Sequence, residues 1–251
     1  MPWLAIGFAL VAVLYSSVGF GGGSSYTALL VLSGVQILLV PLVSLACNLT
    51  VTSAGVWKCW RAGLYADAGL VPILALSVPA ALLGGLTPVS ENGLILLLGF
   101  GLLLAGLQLG WTSLVVPAGQ ATAPANLPRW AAPVIGAGVG YLSWIVGIGG
   151  GIFLSPILHL VRWASPRTIA AIASAYIAAN SAAALVGKSI ALPGDIPLGD
   201  ILLFWPLIPA VAVGSWLGHR LLLGVFPERI VKAMTAGLIL IVAFRLLAKA
   251  L

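Results

Sequence analysis

Charge is what this chain of 251 residues has least of: Asp, Glu, Lys and Arg together make 6% of it. Soluble domains carry about 25%, so a water-soluble globule is excluded. The 61% of hydrophobic residues excludes disorder. Acids are the rarest charges, five in all, and none lies in the middle of an apolar run, which argues against a carboxylate proton relay. Two histidines (His159 and His219) and two cysteines (Cys47 and Cys59) lack metal-ligand or CxxC spacing. With no nucleophile–base pair or metal cluster inside the runs, the chain is not expected to be an enzyme, and no cofactor is implied. The start Met-Pro-Trp-Leu lacks the basic region of a cleavable signal and is read as part of the first apolar segment.

Long stretches without an ionisable side chain fill the space between these sparse charges. No Asp, Glu, Lys, Arg or His occurs before Lys58, from Ala68 to Ser90, from Asn92 to Pro128, or from Trp130 to Leu158. A bilayer crossing needs about 20 apolar residues, so the pattern predicts an all-α polytopic membrane protein. Ten segments are expected: 3–18, 24–39, 41–57, 68–86, 93–111, 130–146, 151–161, 168–186, 201–217 and 230–247. The second and seventh are short. Each follows a glycine cluster, which suggests a helix that enters the membrane and returns.

Those clusters repeat. Gly19-Phe20-Gly21-Gly22-Gly23 recurs as Gly147-Ile148-Gly149-Gly150-Gly151, 128 residues later. Without a gap, the same offset sets Asn48 on Tyr176, Thr52 on Asn180 and Ser53 on Ser181. Two transmembrane repeats are therefore expected, 1–111 and 129–251, joined by a polar, proline-containing loop over 112–128. With the Lys58/Arg61 turn in the cytoplasm, counting crossings places eight of the eleven Lys and Arg on that side. Each repeat has five segments, an odd number, so the two are expected to lie inverted, an architecture of secondary transporters. The net charge of +6 is then read as basic cytoplasmic loops and not as a nucleic-acid surface.

Three glycines inside an apolar run cost helix propensity, about 1 kcal/mol each against Ala. A helix break accounts for them. It frees backbone N–H groups and starts a half-helix whose N-terminus carries partial positive charge, a natural anion site. The competing reading is close helix packing, preferred for Gly136-x-x-x-Gly140 and Gly214-x-x-x-Gly218. A small anionic substrate would be held by the backbone of Gly21, Gly22, Gly23, Gly149, Gly150 and Gly151. Around it stand Ser24, Ser25, Asn48, Thr52, Tyr176, Asn180 and Ser181, whose neutral groups replace water around its oxygens. Ordinary interhelical hydrogen bonding is the plainer role for the same side chains.

At the glycine clusters the sequence resembles the TauE/SafE sulfite exporter family, also called the 4-toluene sulfonate uptake permease family. The family pattern is G-x-G-G-G followed shortly by proline, in both halves. Gly147-Ile-Gly-Gly-Gly-Ile-Phe-Leu-Ser-Pro156 carries it fully, while the first copy has Ala28 in place of the proline. The resemblance implies a transporter of sulfite, a sulfonate such as sulfoacetate, or a related small anion, in the cytoplasmic membrane of a bacterium or archaeon. Its partners would be that anion and the lipid bilayer, with a homodimer as a candidate assembly and no nucleic acid. A passive anion channel is the alternative.

Overall fold

In the computed structural model, residues 2–17, 21–65, 69–87, 90–115, 130–146, 150–161, 163–191, 202–221 and 228–250 are described. Among them ten helices follow the expected segments: α1 (Pro2–Ser17), α2 (Gly23–Leu32), α3 (Val40–Arg61), α4 (Leu70–Leu86), α5 (Glu91–Val115), α6 (Ala131–Val146), α7 (Gly151–Leu160), α8 (Pro166–Ile190), α9 (Leu207–Leu221) and α10 (Glu228–Ala250). No strand occurs among the described residues, so the protein is all-α.

Several ends differ from the sequence reading, some of them for a local reason. α2 stops at Leu32, because Gly34 takes a left-handed φ of 72°. The amides of Gly34 and Val35 then close back onto the carbonyls of Val31 and Leu30, capping the helix. α5 continues four residues into the segment read as a loop, since no proline intervenes before Pro117. The rest of that loop, 116–128, lies outside the described residues. α9 begins only at Leu207, after turns over 203–206 that end at Pro206. α8 begins at Pro166, two residues before the expected 168, because Ser165 accepts a hydrogen bond from the Thr168 amide at 3.3 Å and Pro166 suits the first helical position.

α3 and α8 are by themselves long and apolar enough to cross a bilayer. The 22 residues of α3 span roughly 33 Å at about 1.5 Å each. The two helices pack on each other running in opposite directions. Just beyond α3, the Tyr65 hydroxyl donates to the Ala171 carbonyl near the start of α8 at 3.2 Å. Deeper in, Gly55 lies against Ser174, and Leu185 reaches the cluster around Val43 and Cys47. Burial raises the Tyr65 phenol well above its usual range, so it remains the donor of its bond.

The other helices interleave across the chain. α5 and α10 run antiparallel, with Gly99 on Leu247, Gly106 on Leu240 and Gly110 on Ala236. α4 runs parallel to α6, where Gly136 and Gly140 sit on the carbonyls of Ile73 and Ser77. α1 runs parallel to α9, where Gly214 and Gly218 sit on Ala9 and Val13. Both Gly-x-x-x-Gly pairs thus do what was expected of them: without Cβ atoms they let two backbones approach, one turn at a time. α4 also crosses α8 backbone to backbone. A Cβ on Gly85 would lie 2.6 Å from the Ala184 carbonyl oxygen, and one on Gly187 2.6 Å from that of Leu82.

The outside is apolar. Leu97, Phe100, Leu104, Leu107 and Trp111 form an exposed stripe along α5, and Trp3, Ile6 and Leu10 one along α1. Stripes of this length face lipid in a membrane protein. At the end of α3 that carries Lys58 and Arg61, the Arg61 guanidinium lies 4.7 Å from the Trp57 ring centroid, beside Trp60. Trp163 packs on Gly69 at the same end. This cluster is an aromatic and basic membrane-interface girdle.

Candidate functional site

Helix propensity fails first at the glycines. α1 ends at Ser17 and α2 starts at Gly23; between them Gly22 takes φ 83°, a conformation that suits glycine and disfavours other residues. The chain folds back there. Phe8 and Tyr26 stack at 4.7 Å, Gly7 faces Leu29, and Gly22 faces Val11, so α1 and α2 form a hairpin with the glycines at its tip. Gly19 and Phe20 lie outside the described residues. The second cluster repeats the placement where it is described, though Gly150 is not among the glycines with left-handed φ. α6 ends at Val146, α7 starts at Gly151, and Gly150 faces Val139 as Gly22 faces Val11. The first helical bonds match too, Tyr26 to Gly22 at 3.0 Å and Leu154 to Gly150 at 2.8 Å. Gly149 lies outside the described residues.

The tip of the first hairpin has a definite depth. A Cβ on Gly21 would overlap the Asn48 amide oxygen and lie 2.9 Å from both Asn48 Cγ and Thr52 Cγ2. Asn48 and Thr52 are the ninth and thirteenth of the 22 residues of α3. A full-length span thus brings its middle to the glycine turn. Gly150 likewise meets Tyr176, the eleventh of the 25 residues of α8. A Cβ there would lie 2.6 Å from the Tyr176 ring.

Local electrostatics come from the backbone. The amides of Gly23, Ser24 and Ser25 precede the first i→i−4 bond of α2 and have no acceptor within the helix. The Gly22 cap adds no side-chain bond. Ser44 donates to the Gly23 carbonyl at 2.9 Å and accepts from Thr27 at 3.0 Å, which pins this first turn to α3. Gly151 opens α7 in the equivalent place.

The polar side chains divide into those already engaged and those left open. Ser25 shares a hydrogen bond with Tyr15 at 3.1 Å. Thr52 donates to the Asn48 carbonyl one turn back at 2.8 Å, and Tyr176 donates to the Gly136 carbonyl at 2.7 Å. The hydroxyls of these three are thus already engaged within the protein. Ser24 Oγ, Asn48 Oδ1, Asn180 Nδ2 and Ser181 Oγ are buried with no hydrogen-bond partner, as is the hydroxyl of Tyr26. An unpaired buried polar group costs about 1–3 kcal/mol, so five of them in one protein call for an explanation such as a missing ligand.

Ser77 on α4 was not singled out in the sequence. It is buried and donates to Asn180 Oδ1 at 3.1 Å across 103 residues of chain. A buried serine within an apolar helix, two residues before Pro79, was the available signal. Ser44 was missed in the same way. Among the described residues no cluster of His, Cys, Asp or Glu could hold a metal ion.

Comparison with known proteins gives two findings. Residues 4–246 match the family model described as "Sulfite exporter TauE/SafE". A "Probable membrane transporter protein y4hK" from Sinorhizobium fredii is 33% identical over 225 residues, covering 87% of this chain and 88% of that relative. No solved structure matches.

Proposed function

Because the chain belongs to the sulfite exporter TauE/SafE family and is a helical membrane transporter of that type, we propose that it carries a small organosulfur anion, such as sulfite or a sulfonate, across the cytoplasmic membrane by alternating access. The observation that carries this reading is the depth of the first glycine turn. It lies against the middle of α3, at Asn48 and Thr52, where unpaired buried polar atoms collect on α2, α3 and α8. Two half-helices, α2 and α7, begin at that depth with free N–H groups and the positive ends of their dipoles.

Such a site suits an anion that must also leave. Backbone amides and neutral side chains replace part of its hydration without a formal positive charge, so binding is reversible. In this scheme Gly21, Gly22, Gly23, Gly149, Gly150 and Gly151 supply the backbone. Ser24, Asn180 and Ser181 supply open donors; Asn48 turns its acceptor Oδ1 onto Gly21 and has its Nδ2 left to donate, while Ser25, Thr52 and Tyr176 shape the wall.

Alternating access follows if the two repeats are inverted. Supporting this, α3 and its counterpart α8 run antiparallel, as do α5 and its counterpart α10. Exchanging the two conformations would then open the same site to the opposite face. The basic, tryptophan-rich end of α3 would face the cytoplasm. Uniport is the simplest scheme, with no mid-span carboxylate required.

Flux of labelled sulfite and sulfoacetate into proteoliposomes, with and without a pH gradient, tests the reading. Saturable uptake of one anion that the other competes away is the expected result. Folded protein that moves neither would refute the substrate class. Gly22→Leu and Gly150→Leu fill the turns at a cost in stability, from the left-handed φ at Gly22 and the Tyr176 ring 2.6 Å from a Cβ on Gly150; the fraction that assembles is expected to lose flux.

A further inference from the structure

A primary amide presents an acceptor on one side and a donor on the other, so its orientation decides whether it can serve an anion. Asn180 is fully buried, and its two ends have different fates. Its Oδ1 accepts the hydroxyl hydrogen of Ser77 at 3.1 Å, whereas its Nδ2 is buried and unpaired. Rotated by half a turn, the amide would place Oδ1 at the open position, where an anion is repelled. We propose that Ser77 is a positioning residue: by donating to Oδ1 it locks the Asn180 amide with its N–H groups turned toward the transported anion.

The surroundings suit that task. Ser77 comes from α4, and its backbone packs on Gly140 of α6, where a Cβ would lie 3.2 Å from both the Ser77 carbonyl oxygen and the Tyr176 hydroxyl. Tyr176 and Asn180 are one turn apart on α8. The Tyr176 hydroxyl in turn holds the Gly136 carbonyl. Ser77 is thus fixed between two helices, and its hydroxyl has only Asn180 Oδ1 and, at 3.5 Å, the Leu74 carbonyl within reach among the described residues. Pro79 cannot donate to the carbonyl of Ala75, so α4 departs from a regular ladder just beyond Ser77. The sequence repeat pairs Asn180 with Thr52 and contains no hint of Ser77, because the contact joins the two halves of the chain.

This inference rests on the proposed reading that Asn180 lies in the anion site, and its test separates the two. Labelled sulfite uptake would be measured in proteoliposomes for wild type, Asn180→Ala, Ser77→Ala, Ser77→Thr and the double Ser77→Ala/Asn180→Ala. A lost hydrogen bond to a charged ligand is expected to raise KM about tenfold. Ser77→Ala should therefore raise KM by about that factor with Vmax within about twofold, and Ser77→Thr, which keeps the hydroxyl, should restore it. The double variant should be no worse than Asn180→Ala, because Ser77 acts only through that amide. Should Ser77→Ala fail to assemble, Ser77→Cys keeps the size with a poorer donor and should raise KM in part. Effects of the two single variants that multiply in the double, or a Ser77→Ala change confined to Vmax, would overturn the positioning role. An Asn180→Ala protein with wild-type KM would overturn the site reading itself, and the positioning role with it.

Discussion

Gly21→Ala is the most informative single change, since it acts on one identified neighbour. The new methyl would occupy the place of the Asn48 amide oxygen and press on Asn48 Cγ and Thr52 Cγ2, each 2.9 Å away. Thr52 is anchored by its bond to the Asn48 carbonyl, so the Asn48 side chain is what must rotate. An off-rotamer amide costs about 0.5–1.5 kcal/mol, and overpacking of this kind about 1–3 kcal/mol in total. The protein should still fold, with a modestly lowered Tm in detergent. Function should suffer more. Asn48 turns its acceptor Oδ1 onto Gly21, so the Nδ2 of the same amide is the group that can serve an anion. Turning it away removes a donor worth about 1.5–3 kcal/mol, which is roughly 10- to 100-fold in affinity. Concentration-dependent sulfite uptake in proteoliposomes reads that as a raised KM. Asn48→Ala should match it, and the double variant should add nothing further. A Gly21→Ala protein with unchanged KM would show that the glycine turn and Asn48 do not act together on the anion, and the central-site reasoning would fail.

Three further outcomes can be checked by simpler means. Gly85→Ala drives a methyl to 2.6 Å from the Ala184 carbonyl oxygen, and backbone cannot rotate away; the α4–α8 crossing should lose about 1–3 kcal/mol, seen as a lower Tm. Gly138→Ala, in α6 with nothing within 4 Å of the added carbon, should leave stability unchanged or raise it by up to about 1 kcal/mol through helix propensity. Cys47 is buried well inside α3, whereas Cys59 is half-exposed in its basic last turn, beside Lys58. A membrane-impermeant maleimide should label Cys59 alone and only from the cytoplasmic face, so labelling in intact cells would reverse the orientation.

Comparison of particular elements shows why some features were legible before the fold was known. The existence and order of α2, α3 and α8 were legible from their apolar runs, but their ends were not: Gly34, Gly63 and Ser165-Pro166 set them through backbone preferences that act within one turn. The glycine clusters were readable as breaks, and Gly136, Gly140, Gly214 and Gly218 as packing surfaces. The use made of polar side chains was less legible. Ser25, Thr52 and Tyr176 looked equivalent to Ser24, Asn48 and Asn180, yet the first three spend their hydroxyls on Tyr15, the Asn48 carbonyl and the Gly136 carbonyl. A hydroxyl in an apolar run finds whichever acceptor the neighbouring helix happens to present, and periodicity carries no record of that neighbour.

The amino-acid sequence by itself determined that this is an all-α membrane protein, where its helices run, and where they break, because composition, hydrophobic length and glycine conformation are local properties of the chain. Tertiary structure alone decided that the first glycine turn meets the middle of α3, that α1 pairs with α9 and α4 with α6, and that Ser77 reaches Asn180. Those relations depend on the crossing geometry of helices far apart in the chain, and that geometry arises only when close-packed glycine faces and buried polar groups are satisfied together.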